Sequence, residues 1–379
     1  MSGRVIPFGK PFFAGKELDY IAAAVASGSI AGGGVFTQKC NRWLEQHLGT
    51  AKSLLTHSCT GALEMAAILL DVQPGDEVIM PSFTFVSTAN AFVLRGGKPV
   101  FVDIRPDTLN LDESLIEDAI TPQTKAIVPV HYAGGACEMD RIMAIAGEHG
   151  LKVVEDAAQG LLSSYKGRSL GTIGHLGCIS FHETKNVICG EGGALLVNDP
   201  SLVDRAEIVL EKGTNRRNFF RGMTDKYSWV DIGSSFLPSD LIAAFLFAQL
   251  ENAEKIVTKR LELAQAYHAK LSLLADTGRV ALPGIKQICA GNGHIFYMLM
   301  RSESERDGLI RHLSRHDISA VFHYVPLHSS PAGKRFGRQH GVLDVTESVA
   351  ARLVRLPAYF DMTLDDVDYV AAAVAEFFA

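Results

Sequence analysis

KVVEDAAQGLLSSYKGRSLGTIGHLGCISFHETKNVICGEGGALLV, residues 152–197, contains three short apolar runs, KVVED (152–156), CISFH (178–182) and GALLV (193–197). Each is five residues long and rich in Val, Ile or Leu, the pattern of a strand buried on both faces. The same kind of run recurs upstream as EVIMP (77–81), PVFVD (99–103) and KAIVPV (125–130). Between these runs lie helical patterns: TGALEMAAILLD (60–71), STANAFVLRG (87–96) and MDRIMAIAGEHG (139–150). The last places Ile142, Ile145 and Ala146 on one face and stops at Gly150. Strands alternating with helices predict an α/β architecture, a mostly parallel sheet sandwiched by helices.

The pattern changes near residue 200. LVDRAEIVLEKGTNRRNFFRG (202–222) starts as a helix and turns basic and aromatic, as a long surface loop does. Residues 239–276 predict two long helices or one bent one. The last hundred residues hold strand-like HIFYMLMR (294–301) and ISAVFHYVP (318–326), an amphipathic ERDGLIRHLSRH (305–316) and a terminal helix DDVDYVAAAVAEFF (365–378). This predicts a large α/β domain over 1–250 and a small C-terminal α+β domain over 251–379.

Bulk properties narrow the function. The 379 residues are 47% hydrophobic and carry a formal net charge of -6, an acidic balance that argues against a nucleic-acid surface. Cys40, Cys59, Cys137, Cys178, Cys189 and Cys289 form no C-x-x-C pair, and read as reduced thiols of a cytoplasmic protein. The N-terminus has no signal-peptide pattern, and no apolar run approaches the ~20 residues of a membrane span. Neither H-E-x-x-H nor a Cys/His ligand spacing is present, so no metal is expected.

In an open parallel sheet, ligands sit beyond the carboxyl ends of the strands, so polar residues following each strand are the candidates. Asp156 ends KVVED and Gln159 lies three residues on; Ser180, His182 and Lys185 follow the next strand. His131 and Tyr132 follow AIVPV. Ser58, Cys59, Thr60 and Gly61 open a helix, where free N–H groups and the dipole favour an anion. Phe83 and Phe85 follow EVIMP. Singly, each has a bland reading: a solvated lysine, a hydrogen-bonded carboxylate, an ordinary N-cap, a core aromatic. Together they meet the needs of pyridoxal 5′-phosphate (PLP): an amine for a Schiff base, an acid for the pyridinium, an anion site for the phosphate and a ring to stack on the cofactor.

EDAAQ, SFHETKN and GEGGALL resemble, in order and spacing, the motifs of the DegT/DnrJ/EryC1/StrS sugar aminotransferases, and the resemblance runs from PFGKPFFAGKELDYI to RLPAYFDMT. It implies PLP-dependent transferase fold type I. THSCTGALEMAAILLDVQPGDEVIMPSFTFVSTANAFVLRGG, VPVHYAGGACEMD and EKGTNRRNFFRG resemble the subgroup that makes dTDP-4-amino-4,6-dideoxygalactose, used in enterobacterial common antigen and related glycans. By that resemblance Lys185 is the cofactor lysine and Asp156 the pyridinium partner. Gln159 meets the ring's phenolic oxygen, Ser180, Cys59 and Thr60 hold the phosphate, and Phe85 stacks on the ring. A dehydratase branch carries histidine at the lysine position, so Lys185 favours amine transfer. Two positions depart from the wider family. Glu183 stands where many relatives have proline, and Ser235 where many have an asparagine that reaches the phosphate from the partner subunit. The implied partners are glutamate and a dTDP-linked 4-keto-6-deoxyglucose, in a homodimer with sites at the subunit interface. Candidate substrate contacts are His131, Tyr132, Arg216, Arg217, His323, Tyr324 and His328. Another nucleotide-sugar transamination (to the 4-amino gluco epimer, or on a GDP-linked or a 3-keto sugar) is the first alternative, and a non-catalytic regulator the second.

Overall fold

The computed structural model describes residues 4–216, 222, 226 and 228–379. Its strands are β1 (Lys52–Thr56), β2 (Glu77–Pro81), β3 (Lys98–Val102), β4 (Thr124–Ile127), β5 (Lys152–Asp156), β6 (Ser164–Tyr165), β7 (Arg168–Ser169), β8 (Leu176–Ser180), β9 (Gly193–Val197), β10 (Phe296–Leu299), β11 (Arg338–Gln339) and β12 (Leu353–Leu356). Eight of them form one sheet in the order β1-β9-β8-β5-β4-β2-β3-β11. Every neighbouring pair from β8 to β11 is parallel, whereas β9 runs antiparallel to both β8 and β1.

The strands read as unbroken apolar runs because both faces of the sheet are covered. Val153 and Ile179 point into one core with the helices Val35–Leu48, Met139–Glu148 and Asp240–Leu250; Val154 and Cys178 point into another with Cys59–Leu69 and Val203–Leu210. A third core, built on the antiparallel pair β10–β12, gathers Ile6 and the helices Ala253–Asp276, Glu303–Arg315 and Leu364–Phe377. The C-terminal part also sends β11 back to the edge of the large sheet, against β3.

One expectation changes and one open alternative is decided. ISAVFHYVP forms no regular strand: Ile318 makes one bridge with Ile6 and Val321 one with Arg355, after which Phe322 and Val325 are exposed and Pro326 has no N–H to donate. Residues 239–276 are two helices that break at Glu251 and Asn252. β1 escaped prediction because its apolar LLT runs straight into the helix start at Ser58.

The functional edge follows from the topology. β5 ends at Asp156 and β8 at Ser180, while antiparallel β9 begins at Gly193, paired with both Ser180 and Thr56. The carboxyl ends of β1, β5 and β8 and the amino end of β9 therefore meet on one side of the sheet.

Candidate active site

On that side opens a cavity of about 740 Å³, whose wall includes residues 322–324 and, from β12, Arg355 and Leu356. Lys185 is brought to it by a loop that folds on itself after β8. Phe181 exchanges backbone bonds with Gly192 and Cys189, Glu183 N–H donates to the Gly190 carbonyl, and Gly190 sits at φ +81°. The lysine amine faces the cavity, and burial, reinforced by Arg355, draws its pKa below the usual value against the opposing pull of Cys59 and Asp156. Burial and the nearby cations Lys185 and Arg355 also hold His294 and His323 well below the usual histidine range.

The Asp156 carboxylate is fixed from two sides: Thr88 Oγ1 donates to Oδ2 at 2.7 Å and Ala158 N–H to Oδ1 at 3.1 Å. Thr88 in turn bonds Thr84 at 2.8 Å. Gln159 accepts from Ala133 N–H at 2.7 Å and donates to the Tyr324 hydroxyl at 3.0 Å, which leaves one amide hydrogen for a ligand. The Tyr132 hydroxyl bonds His323 Nδ1 at 2.9 Å, and the His323 ring stacks on Tyr324 at 3.6 Å.

Across the cavity, Ser58 caps the helix Cys59–Leu69, its Oγ accepting from Gly61 N–H at 3.0 Å. The N–H groups of Cys59 and Thr60 precede the helical ladder and have no acceptor within it. The backbone here is packed so closely that a Cβ on Gly193 would lie 2.4 Å from Cys59 N. Ser180 Oγ sits beside this start and accepts from His182 N–H at 3.3 Å.

One cavity thus holds Cys59, Thr60, Phe85, Asp156, Gln159, Ser180, Lys185, His323 and Tyr324 in its wall. Phe85 is 58% exposed there, whereas Phe83 is core, packed on Tyr132. Other candidates lie elsewhere. His131 is fully buried because its Nε2 meets Glu155 at 2.9 Å and its Nδ1 accepts from Cys137 N–H. Glu155 also accepts three backbone N–H groups, from Gly171, Ile173 and Gly174. Tyr132 is buried behind His323, and His328 is held by Ser82 and Glu347 outside the cavity wall. Ser235 and Arg216 are exposed and outside it too; Arg217 lies outside the described residues. Sequence reading overlooked Arg260, His294 and Arg355, all in the wall. The sole signal was a charge alternating with Val354 and Leu356 in β12.

These groups suit pyridoxal phosphate: a depressed lysine, a fixed carboxylate and, opposite, a helix start whose backbone no side chain obstructs at Gly193. Comparison with known proteins agrees. The profile of the DegT/DnrJ/EryC1/StrS aminotransferase family matches residues 13–375. The spore coat polysaccharide biosynthesis protein SpsC of Bacillus subtilis is 32% identical over 384 residues, 98% of this chain and 96% of SpsC. A DegT/DnrJ/EryC1/StrS aminotransferase from Brucella abortus superposes with a TM-score of 0.87 at 31% identity, covering 96% of this chain and 95% of that one. Spr1654 from Streptococcus pneumoniae, solved in PMP- and PLP-forms, superposes in the PMP-form with a TM-score of 0.90 at 26% identity over 98% of both chains.

Proposed function

The chain belongs to the DegT/DnrJ/EryC1/StrS aminotransferase family and is a PLP-dependent aminotransferase; from that premise we propose that it moves the amine of glutamate onto C4 of dTDP-4-keto-6-deoxyglucose, giving dTDP-4-amino-4,6-dideoxygalactose. The observation that carries the chemistry is the Lys185 amine, depressed by burial, in one cavity with Asp156, Gln159 and the helix start at Ser58.

Bound PLP supplies an electron sink that makes the Cα proton of an amino donor labile. Lys185 Nζ would hold the cofactor and would then take that proton and return it as base and acid, a task that its lowered pKa favours. Asp156 would keep the ring nitrogen protonated, and the bonds from Thr88 and Ala158 fix its carboxylate for that role. The free amide hydrogen of Gln159 would serve the cofactor's phenolic oxygen, and exposed Phe85 would offer its ring for stacking. Ser180 Oγ and the N–H groups of Cys59 and Thr60 would receive the phosphate. Half-buried His323 and Tyr324, also in the cavity wall, are the residues assigned here to the hexose. The active protein is taken to be a homodimer, a reading that the exposed apolar side chains of Ile30, Val35 and Val86 support.

The test supplies purified holoprotein with glutamate and a panel of nucleotide-linked 3- and 4-keto sugars, with Lys185→Ala as control, and reads the product's C4 configuration by NMR. The galacto amine on dTDP is expected. Faster turnover of another keto-sugar, or a gluco product, refutes the substrate assignment.

A further inference from the structure

Two helices of the C-terminal core end side by side, and metal-ligating side chains lie across their ends. The helix Glu303–Arg315 carries His312 in its last turn and is capped by His316; the helix Leu364–Phe377 carries Ala373 and Glu376 near its end. HLSRH (312–316) spaces its two imidazoles four residues apart, which puts them on one helix face, and their ring centroids are 4.7 Å apart. One nitrogen from each ring and one Glu376 oxygen all lie within 4.8 Å of one another. His316 Nε2 stands 3.8 Å from Glu376 Oε2.

The cluster rests on a fixed base. Leu309 and Leu313 of the first helix and Val370 and Val374 of the second are fully buried in one core. His312 Nε2 bonds the Ala373 carbonyl at 3.0 Å. A carbonyl only accepts, so that nitrogen carries the ring hydrogen and Nδ1 keeps the lone pair a metal needs; ligating histidines are commonly held in this way by their other nitrogen. The Tyr369 hydroxyl donates to the His316 carbonyl at 3.1 Å and ties the two helices a second time. The electrostatics favour a cation. Both helices present their negative, C-terminal ends here, and Glu376 adds a carboxylate to one of them. No basic residue stands in the last turn of that helix, and among the described residues Glu376 has an ion pair with His316 alone, which is charged only when protonated.

We propose that His312, His316 and Glu376 bind one divalent cation of the zinc class, with water completing the coordination, and that the ion ties the ends of the two helices together. Two imidazoles and a carboxylate select zinc over magnesium or calcium, which take oxygen ligands. Ligand atoms around a tetrahedral zinc stand about 3.4 Å apart, given bonds of about 2.0–2.2 Å. The His316–Glu376 pair therefore closes by less than about 0.5 Å, a shift that the exposed Glu376 side chain can make. None of the three residues lines the cofactor cavity, so the ion acts on the stability of the C-terminal part and not on amine transfer. The third donor arrives from a separate helix, which is why ligand spacing along the chain predicts no metal.

The experiment uses untagged, PLP-loaded, chelator-washed protein: wild type, His316→Gln, Glu376→Gln and the double variant His312→Gln/His316→Gln, each checked for folding by thermal melting. His149→Gln is the control, because Glu117, Glu148 and His149 form a second, exposed cluster with a single imidazole. Zinc chloride is titrated in competition with a chromophoric chelator, and melting is repeated with zinc, magnesium and calcium. Zinc at 100 times its dissociation constant should raise the wild-type melting temperature by roughly 2–4 °C, and magnesium and calcium should not. Either single variant should weaken zinc at least about 10-fold, and the double variant should lose one zinc equivalent together with the melting shift. His149→Gln should match wild type. The two single variants carry the comparison should the double variant not fold. Zinc affinity and melting shift unchanged by these substitutions overturn the proposal, as does an equal loss in His149→Gln or an equal response to magnesium.

Discussion

Gly193→Ala probes the cofactor cradle most sharply, because its effect can be worked from distances. The added Cβ would lie 2.4 Å from Cys59 N, 2.4 Å from the Ser58 carbonyl carbon and 2.6 Å from its oxygen, all backbone atoms. Relief requires a retreat of about 1 Å, since ordinary contacts begin near 3.4 Å. β9 cannot supply it cheaply: Gly193 is paired to Thr56 on one side and Ser180 on the other. The helix start therefore moves, and overpacking of this kind costs about 1–3 kcal/mol. In a chain of this size that lowers the melting temperature by roughly 1–4 °C. The larger effect falls on the anion site. Moving two N–H donors off a phosphate loses at least one charge-assisted bond, about 1.5–3 kcal/mol, or about 10- to 100-fold in PLP affinity. Absorbance titration of cofactor-free protein with PLP measures this directly, and melting with and without PLP separates the two effects. Wild-type affinity and melting in Gly193→Ala would refute the placement of the phosphate at this helix start.

Glu155→Ala removes a buried carboxylate that accepts from Gly171, Ile173, Gly174 and His131, and should cost about 3–5 kcal/mol in urea unfolding; a loss below about 1 kcal/mol contradicts its role as the anchor behind Asp156. The depressed Lys185 gives a pH signature. In cofactor-free protein the folded lysine releases its proton below the 10.5 of the unfolded chain, so between those values the unfolded state binds more protons and stability rises with pH. PLP capture, followed by stopped-flow absorbance, should accelerate through the lowered value and level off before pH 10.5. A rate still climbing beyond that pH would contradict the burial of the amine.

Much of this was legible in residue order because the sheet is buried on both faces and its ligands sit at strand ends. KVVED, EVIMP and CISFH announce strands by composition, and the polar residues that end or follow two of them, Asp156 and Lys185, reach the cavity. The same rule misplaced His131, which also follows a strand end. Glu155, pointing to the opposite side of β5 from Asp156, captures that imidazole, and only the three-dimensional pairing of β4 and β5 reveals it. ISAVFHYVP has strand composition but no continuous partner, and pairing is not written in local pattern. Arg355 was invisible for a related reason. What distinguishes it is a buried guanidinium Nε without a partner, a property of several distant segments together.

The account turns on one amine. Borohydride reduction of the PLP-loaded protein, followed by digestion and mass spectrometry, fixes the cofactor to whichever lysine holds it. The phosphopyridoxyl group should appear on the peptide carrying Lys185, and Lys185→Ala should melt as a folded protein without acquiring it. A label on another lysine, or full transaminase turnover by Lys185→Ala, would contradict the assignment.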